Sequence, residues 1–178
     1  MTEVLWHGRG GEGAFTAARL LGDAYILNGE ENFALAFPSF GPERRGAPIR
    51  AFTKLDRNTI GDRSEINKAD YIIYLDDTLF SDSAFSDLKE DGKILINTKK
   101  NYNDSRIVTI DGDKIALDIL KRPIVNTIML GALAAHFREI NIDNIANAIK
   151  ENMAPKLHDK NIAAVEAAYR EVTEGGNL

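Results

Sequence analysis

A short apolar run, Val4-Leu5-Trp6-His7, meets a glycine cluster, Gly8-Arg9-Gly10-Gly11-Glu12-Gly13, and then an Ala- and Leu-rich stretch with helical spacing from Gly13 to Leu27. The glycines at 8, 10 and 13 fit the spacing G-x-G-x-x-G. A chain can turn from strand to helix within so few residues only where no Cβ blocks the backbone, so this junction predicts one tight βα unit. The N–H groups at the start of the helix are then free to meet an anion. Arg9 would set a guanidinium beside those donors. Close packing of strand on helix is the structural alternative for the same glycines, and the sequence alone leaves both open.

The rest of the chain continues the alternation. Apolar or period-two runs predict strands at 33–37, 49–55, 71–75, 93–96 and 106–110. Between them, residues 64–69 suit a helical turn, 81–88 a short helix, and Asp91-Gly92 a turn into the next strand. After Asp111 the pattern turns helical. Pro123 suits a helix start, Asp143 an N-cap for a helix to Asn152, and a last helix runs from about Asp159 to Thr173, ended by Gly175-Gly176. The expected fold is α/β: one Rossmann-like domain over residues 1–178, its sheet mainly parallel and flanked by helices, the C-terminal helices covering one face.

Several functions are excluded or disfavoured. A dinucleotide site also needs an acid closing the second strand, about 20 residues after the glycines. Glu30 and Glu31 precede the run Phe33 to Phe37 instead. No Gly-Lys-Ser or Gly-Lys-Thr occurs, so a Walker-type loop is absent. With no cysteine, the chain supplies neither disulfides nor thiolate ligands for zinc or iron–sulfur clusters. A net charge of −5, with basic residues scattered among acids, argues against nucleic acid and anionic membranes as partners. No apolar stretch spans a membrane, and no secretory leader is expected after Met1, so the expected location is cytoplasmic. Of the histidines, His7 stands beside the glycine loop as a site contact or a structural residue. His136 suits a helix C-terminus favoured by the dipole, and His158 a solvated position. Asp76, after the apolar strand at 71–75, suits an N-cap better than a ligand contact. No nucleophile–base constellation is present, and no residue is assigned to catalysis.

The second constellation is Phe37-Pro38-Ser39-Phe40-Gly41-Pro42-Glu43-Arg44-Arg45-Gly46-Ala47-Pro48. Its prolines restrict the unfolded chain and favour one shape, and its paired arginines suit flat, bidentate contacts with carboxylates or phosphates. Taken with His-Gly-Arg-Gly-Gly-Glu-Gly at 7–13, this segment closely resembles the γ subunits of the 2-oxoacid:ferredoxin oxidoreductases. The Arg-Arg-Gly-Ala-Pro ending is most similar to the pyruvate branch.

That resemblance implies a heterotetrameric enzyme of anaerobic metabolism that converts a 2-oxoacid and CoA to acyl-CoA, CO2 and reduced ferredoxin, reversibly. It implies α, β and ferredoxin-like δ subunits as partners and ferredoxin as electron acceptor. Thiamine diphosphate, Mg2+ and the 4Fe-4S clusters are expected on those partners, and no metal on this chain. The γ chain would be inactive alone, would help to bind or enclose CoA, and would hold the complex together. Gly8, Arg9, Gly10, Gly11, Glu12 and Gly13 are the expected CoA-binding residues. Phe40, Glu43, Arg44 and Arg45 are expected either to contact CoA or to seal the site against a neighbouring subunit, the latter favoured by the prolines and phenylalanines. Two alternatives remain: the same role toward 2-oxoglutarate, branched-chain or aryl glyoxylate substrates, or a Rossmann-like nucleotide-binding regulatory module.

Overall fold

Burial of one indole ties the first three elements together. Trp6 is fully buried on strand β1 (Thr2–Arg9). Its Nε1 donates to Thr53 Oγ1 at 3.1 Å, on strand β3 (Pro48–Asp56), and that hydroxyl donates to Ala18 O at 3.0 Å, in helix α1 (Ala14–Leu27). A large aromatic can be buried this deeply because its one polar atom finds a partner. The computed structural model describes residues 1–39 and 44–175.

The remaining strands are β2 (Phe33–Pro38), β4 (Ala69–Tyr74), β5 (Leu88–Asn97) and β6 (Ile107–Ile110). They form one sheet in the order β2-β3-β1-β4-β5-β6. β1, β4, β5 and β6 pair in parallel, whereas β3 runs antiparallel to both neighbours, β1 and β2. Thus β3 alone opposes the others, and the mainly parallel α/β sheet expected from the sequence is what forms. The reversal has a local origin: β2 and β3 are joined through the proline-flanked segment as a hairpin, which needs no crossover helix.

Side chains alternate across the sheet. Val4, Trp6, Ala51, Ile73, Leu95 and Val108 face the layer built by α1, α3 (Asn126–His136), α4 (Ile142–Asn152) and α5 (His158–Glu174). The opposite face carries Leu5, Phe52, Ile72, Tyr74, Ile94 and Ile96. That face is closed by 3-10 turns at Asp77–Leu79 and Asp82–Asp87 and by loop residues such as Ile66 and Tyr102. Phe80 is the hinge of this cover, meeting Tyr74, Phe85 and Tyr102 edge to face. At the amino ends of the strands the fully buried Lys54 reaches Asp62 at 2.6 Å, while Lys89 bridges Glu3 and Asp70.

Several local expectations are corrected. Residues 64–69 form no helical turn; Ile66 packs into the core from an irregular loop. Asp91-Gly92 lies inside β5, where a Cβ on Gly92 would press on the Leu88 side chain. The segment after Asp111 begins with α2 (Gly112–Ile115), runs into a π-helical turn at Ala116–Leu120 and stops at Lys121, whose φ is 57°. α3 therefore starts at Asn126, after Pro123 rather than around it. The cap of α4 is Asn141, whose side chain accepts the Asn144 N–H at 2.8 Å; Asp143 lies in the first turn.

A Thr53→Val substitution keeps the shape but leaves the buried Trp6 N–H without its partner and removes the second bond to the Ala18 carbonyl, which still accepts within α1. It should cost about 2 kcal/mol, read as a lower urea midpoint with an unchanged slope.

Candidate functional site

The carboxyl ends of β1, β4, β5 and β6 lie along one edge of the sheet, and the reversed β3 brings its amino end to the same edge. There the two sequence motifs meet. Gly10 donates to Ala47 O at 2.8 Å and accepts from Gly46 N at 3.0 Å, and an isolated bridge pairs Gly10 with Arg45. A Cβ on Gly10 would overlap the Arg44 carbonyl, so glycine is what allows the second motif to lie against the first. Arg44 and Arg45 are exposed on this lip, whereas Phe40 and Glu43 lie outside the described residues.

The glycine loop spends part of its own hydrogen bonding internally. The Glu12 carboxylate accepts the Arg9 N–H at 2.6 Å, and the Glu12 N–H donates to Arg9 O at 3.0 Å. Gly13 takes the left-handed conformation, φ 82°, as N-cap of α1. Among the described residues no side chain caps that helix, and its first turn carries no acid. The opening N–H groups of α1 are therefore left to water or to a bound anion.

Arg9 is engaged at the sheet edge. Its guanidinium turns across the sheet edge and pairs with Asp76, donates to Gly46 O at 3.1 Å and to Thr78 Oγ1 at 2.8 Å. Asp76 also caps the following 3-10 turn by accepting the Thr78 N–H at 2.9 Å, as the capping expectation required. Burial pushes the Asp76 carboxyl up, but the Thr78 bonds and Arg9 outweigh it and hold it below its ordinary value. The crevice between β1 and β4, where a doubly wound sheet would take a dinucleotide, is thus bridged by an ion pair.

On the helix side of the loop a cavity of about 540 Å³ opens beside Gly11, Glu12 and Gly13. Leu120, Ile124, Met153 and Leu157 give it an apolar wall, and Arg122, Lys156 and Lys160 stand around it. Asn126 forms part of the floor, donating to Gly13 O at 3.3 Å. Sequence reasoning missed these residues. They lie more than a hundred positions from the glycines, and only Pro123 and Pro155 hint that the chain turns beside them.

The histidines sit in different surroundings. His7 stacks on Tyr74 with ring centroids 4.5 Å apart, next to Arg50 of β3. Burial, then the Arg50 charge, lower its pKa to about 4. His136 ends α3 but is not the dipole-stabilised cation expected there: burial and Lys93 lower its pKa, and its Nε2 is buried with no partner among the described residues. His158, expected to be solvated, is half-buried and its Nε2 lies 2.8 Å from Met153 O.

Between pH 6.5 and about 4 the unfolded chain takes up a proton at His7 that the native state refuses. Acidification through that window should therefore destabilise the fold, by up to ~3 kcal/mol when complete. Urea unfolding followed by Trp6 fluorescence at pH 7 and pH 5 should show this loss. His7→Gln should remove most of it, leaving the smaller part due to His136; an unaltered pH dependence in His7→Gln would contradict the assignment.

Comparison with known proteins agrees with this geometry. Residues 3–171 match the family model of pyruvate ferredoxin/flavodoxin oxidoreductases. The chain is similar to pyruvate synthase subunit PorC of Methanothermobacter marburgensis, 44% identical over 99% of this chain and 100% of the relative. It is similar as well to the pyruvate/ketoisovalerate oxidoreductases common subunit gamma of Pyrococcus furiosus, 38% identical over 95% of this chain and 96% of the relative. The crystal structure of pyruvate oxidoreductase subunit PORC from Thermotoga maritima superposes with a TM-score of 0.81 at 34% identity, covering 95% of each chain. The chain belongs to the pyruvate ferredoxin/flavodoxin oxidoreductase family, as a γ subunit of a pyruvate/2-oxoacid:ferredoxin oxidoreductase.

Proposed function

We propose that this chain supplies part of the CoA site to a pyruvate:ferredoxin oxidoreductase and helps to hold the complex together, with no catalysis of its own. The observation that carries this is the joining of the two motifs at one sheet edge, where Gly10 is bonded on both sides to the Arg44–Ala47 segment. Backbone donors and exposed guanidinium groups converge there, and CoA presents a diphosphate and a 3′-phosphate that such groups recognise. Arg9 takes a supporting part: pinned to Asp76, it fixes the loop and leaves its remaining N–H groups at the lip.

The reaction in this reading joins pyruvate and CoA to give acetyl-CoA, CO2 and reduced ferredoxin, and runs in both directions. Thiamine diphosphate with Mg2+ and the 4Fe-4S clusters supply the decarboxylation and electron transfer, and belong to the α, β and δ chains. This chain has no cysteine with which to hold a cluster. Its own residues bind and orient the phosphate-bearing end of the acceptor, and the second motif serves as a contact to a neighbouring subunit. Among the described residues no helix is long and apolar enough to cross a membrane, which fits a reading in the cytoplasm with soluble partners.

In a reconstituted complex, Arg44→Ala and Arg45→Ala should each raise KM for CoA about tenfold or more, the worth of one charge-assisted hydrogen bond. KM for pyruvate should stay within about twofold, since the lip is proposed to hold the phosphates of CoA and pyruvate carries none. Unchanged KM for CoA in both variants would rule out the CoA role. Loss of the partner chains from Arg45→Ala on pull-down would instead mark the lip as a subunit contact. The purified chain alone should show no pyruvate- and CoA-dependent reduction of an artificial acceptor, with activity appearing when the α, β and δ chains are added.

A further inference from the structure

The two outer strands of the sheet are guarded very differently. β6 is four residues long, and charged side chains flank it at Asp104, Arg106 and Asp111. Shortness and charge are ordinary defences of an outer strand, whose unpaired N–H and C=O groups otherwise recruit another strand. β2, at the other end of the order, is six residues long and has no charged residue from Phe33 to Pro38. Phe33 is 41% exposed there. Among the described residues no strand pairs with the outer side of β2.

The register shows which groups that side offers. The Ser39 N–H donates to Arg50 O at 2.9 Å, and the ladder continues with Phe37 opposite Phe52, Leu35 opposite Lys54 and Phe33 opposite Asp56. Hydrogen-bonded rungs of an antiparallel pair recur at every second residue. Ser39, Phe37, Leu35 and Phe33 therefore direct their backbone groups to β3, and Ala34 and Ala36 turn theirs outward. Pro38 falls in the outward set, where its missing N–H removes no bond to β3. The side chains of Ala34 and Ala36 pack against the helical layer, Ala34 beneath Gly22 of α1.

We propose that β2 is the surface by which two copies of this chain associate, their β2 strands pairing antiparallel about a twofold axis at Leu35. In that register Ala34 of one copy and Ala36 of the other exchange N–H···O bonds on both sides of the axis. Every outward group of β2 except the Pro38 carbonyl is then used. The neighbouring registers do worse: one sets Ala34 against Pro38, which has no N–H, and the other sets Ala36 against Asn32, which lies outside the strand. Phe33 comes beside Phe37 of the second copy and extends the Phe37–Phe52 stack, whose centroids are 5.1 Å apart. Charge agrees with the antiparallel sense. Exposed Glu30 and Glu31 precede β2, and the pairing lays that acidic turn beside the far end of β2 in the second copy, where Arg50 stands opposite Ser39. A strand of unrelated sequence could use the same backbone groups, but the meeting of Phe33 with Phe37 and of the acidic turn with Arg50 needs this sequence. The inference is independent of the CoA reading, and it would join two γ chains, with the assemblies they carry, through one continuous sheet.

The chain has no cysteine, so a single introduced thiol reports without interference. Leu35 would face its own copy across a non-hydrogen-bonded rung, with Cα atoms about 4.5 Å apart, a span that a disulfide bridges. Under a mild thiol–disulfide buffer, the full chain carrying Leu35→Cys should become mostly disulfide-linked dimer. Phe33→Cys should not link, because the same register holds its two copies about 13 Å apart along the strands. The unmutated chain should sediment as a monomer–dimer equilibrium. Glu31→Arg, at an exposed position, should raise its dissociation constant about threefold, the worth of a pair of exposed ionic contacts. In the reconstituted complex the Leu35→Cys link should join two γ chains. A chain that stays monomeric at every concentration overturns the proposal, as does equal linking by Phe33→Cys, which would mark random collision. A Leu35→Cys thiol that is shielded from alkylation in the complex but never linked would give β2 to another subunit, and the pairing of copies would fall.

Discussion

At Gly13 the chain must leave β1 and enter α1 with φ at 82°, and a Cβ there would come within 2.5 Å of the Asn126 amide. Helix α1 and the start of α3 can approach only because that position is bare. The remainder of the architecture follows from this contact. α1 is aimed across β2 and β3, Trp6 is sealed beneath it through Thr53 and Ala18, and α3 enters the helical layer beside the glycine loop. The same steric requirement keeps a side chain from filling the mouth of the cavity.

Much of the fold was legible because its signals are local. The βα junction at 4–27 announces itself through apolar run, glycines and helical spacing, and the strands at 49–55 and 93–96 through their apolar pattern. Where expectation failed, a distant contact decided. Gly92 looks like a turn, yet it continues β5 beside Leu88 and the Asp70 carbonyl. Pro123 looks like a helix start, yet Lys121 has already turned the chain and α3 begins at Asn126. At the site, the two motifs could be read separately, but not their junction through Gly10, Gly46 and Ala47. Still less could the sequence bring Arg122 and Lys160 to Gly11, since no local pattern encodes contacts across that separation.

Electrostatics at the sheet edge divide the two sides of the loop. Across β1 and β4, charges are mutually satisfied: Arg9 with Asp76, and Asp77 with Thr98 and Lys100, which hold the Asp77 carboxyl below its ordinary value. A ligand would have to break this network to enter between β1 and β4. The lip and the cavity present cations and backbone donors to the outside instead.

The register of β3 against β1 sets where the arginines of the lip stand. Arg9 lies opposite Pro48 and Gly10 reaches Ala47; next to it the chain turns at Gly46, φ 81°, and Arg45 bridges Gly10 in the parallel sense. A slip of one residue would move β3 and the turn at Gly46 by about 3.3 Å against β1 and turn Phe52 and Lys54 to the wrong face. The hydrophobic pattern of β3 therefore acts as a vernier for an exposed arginine several residues away. Selection on the core of this sheet is at the same time selection on the reach of its lip.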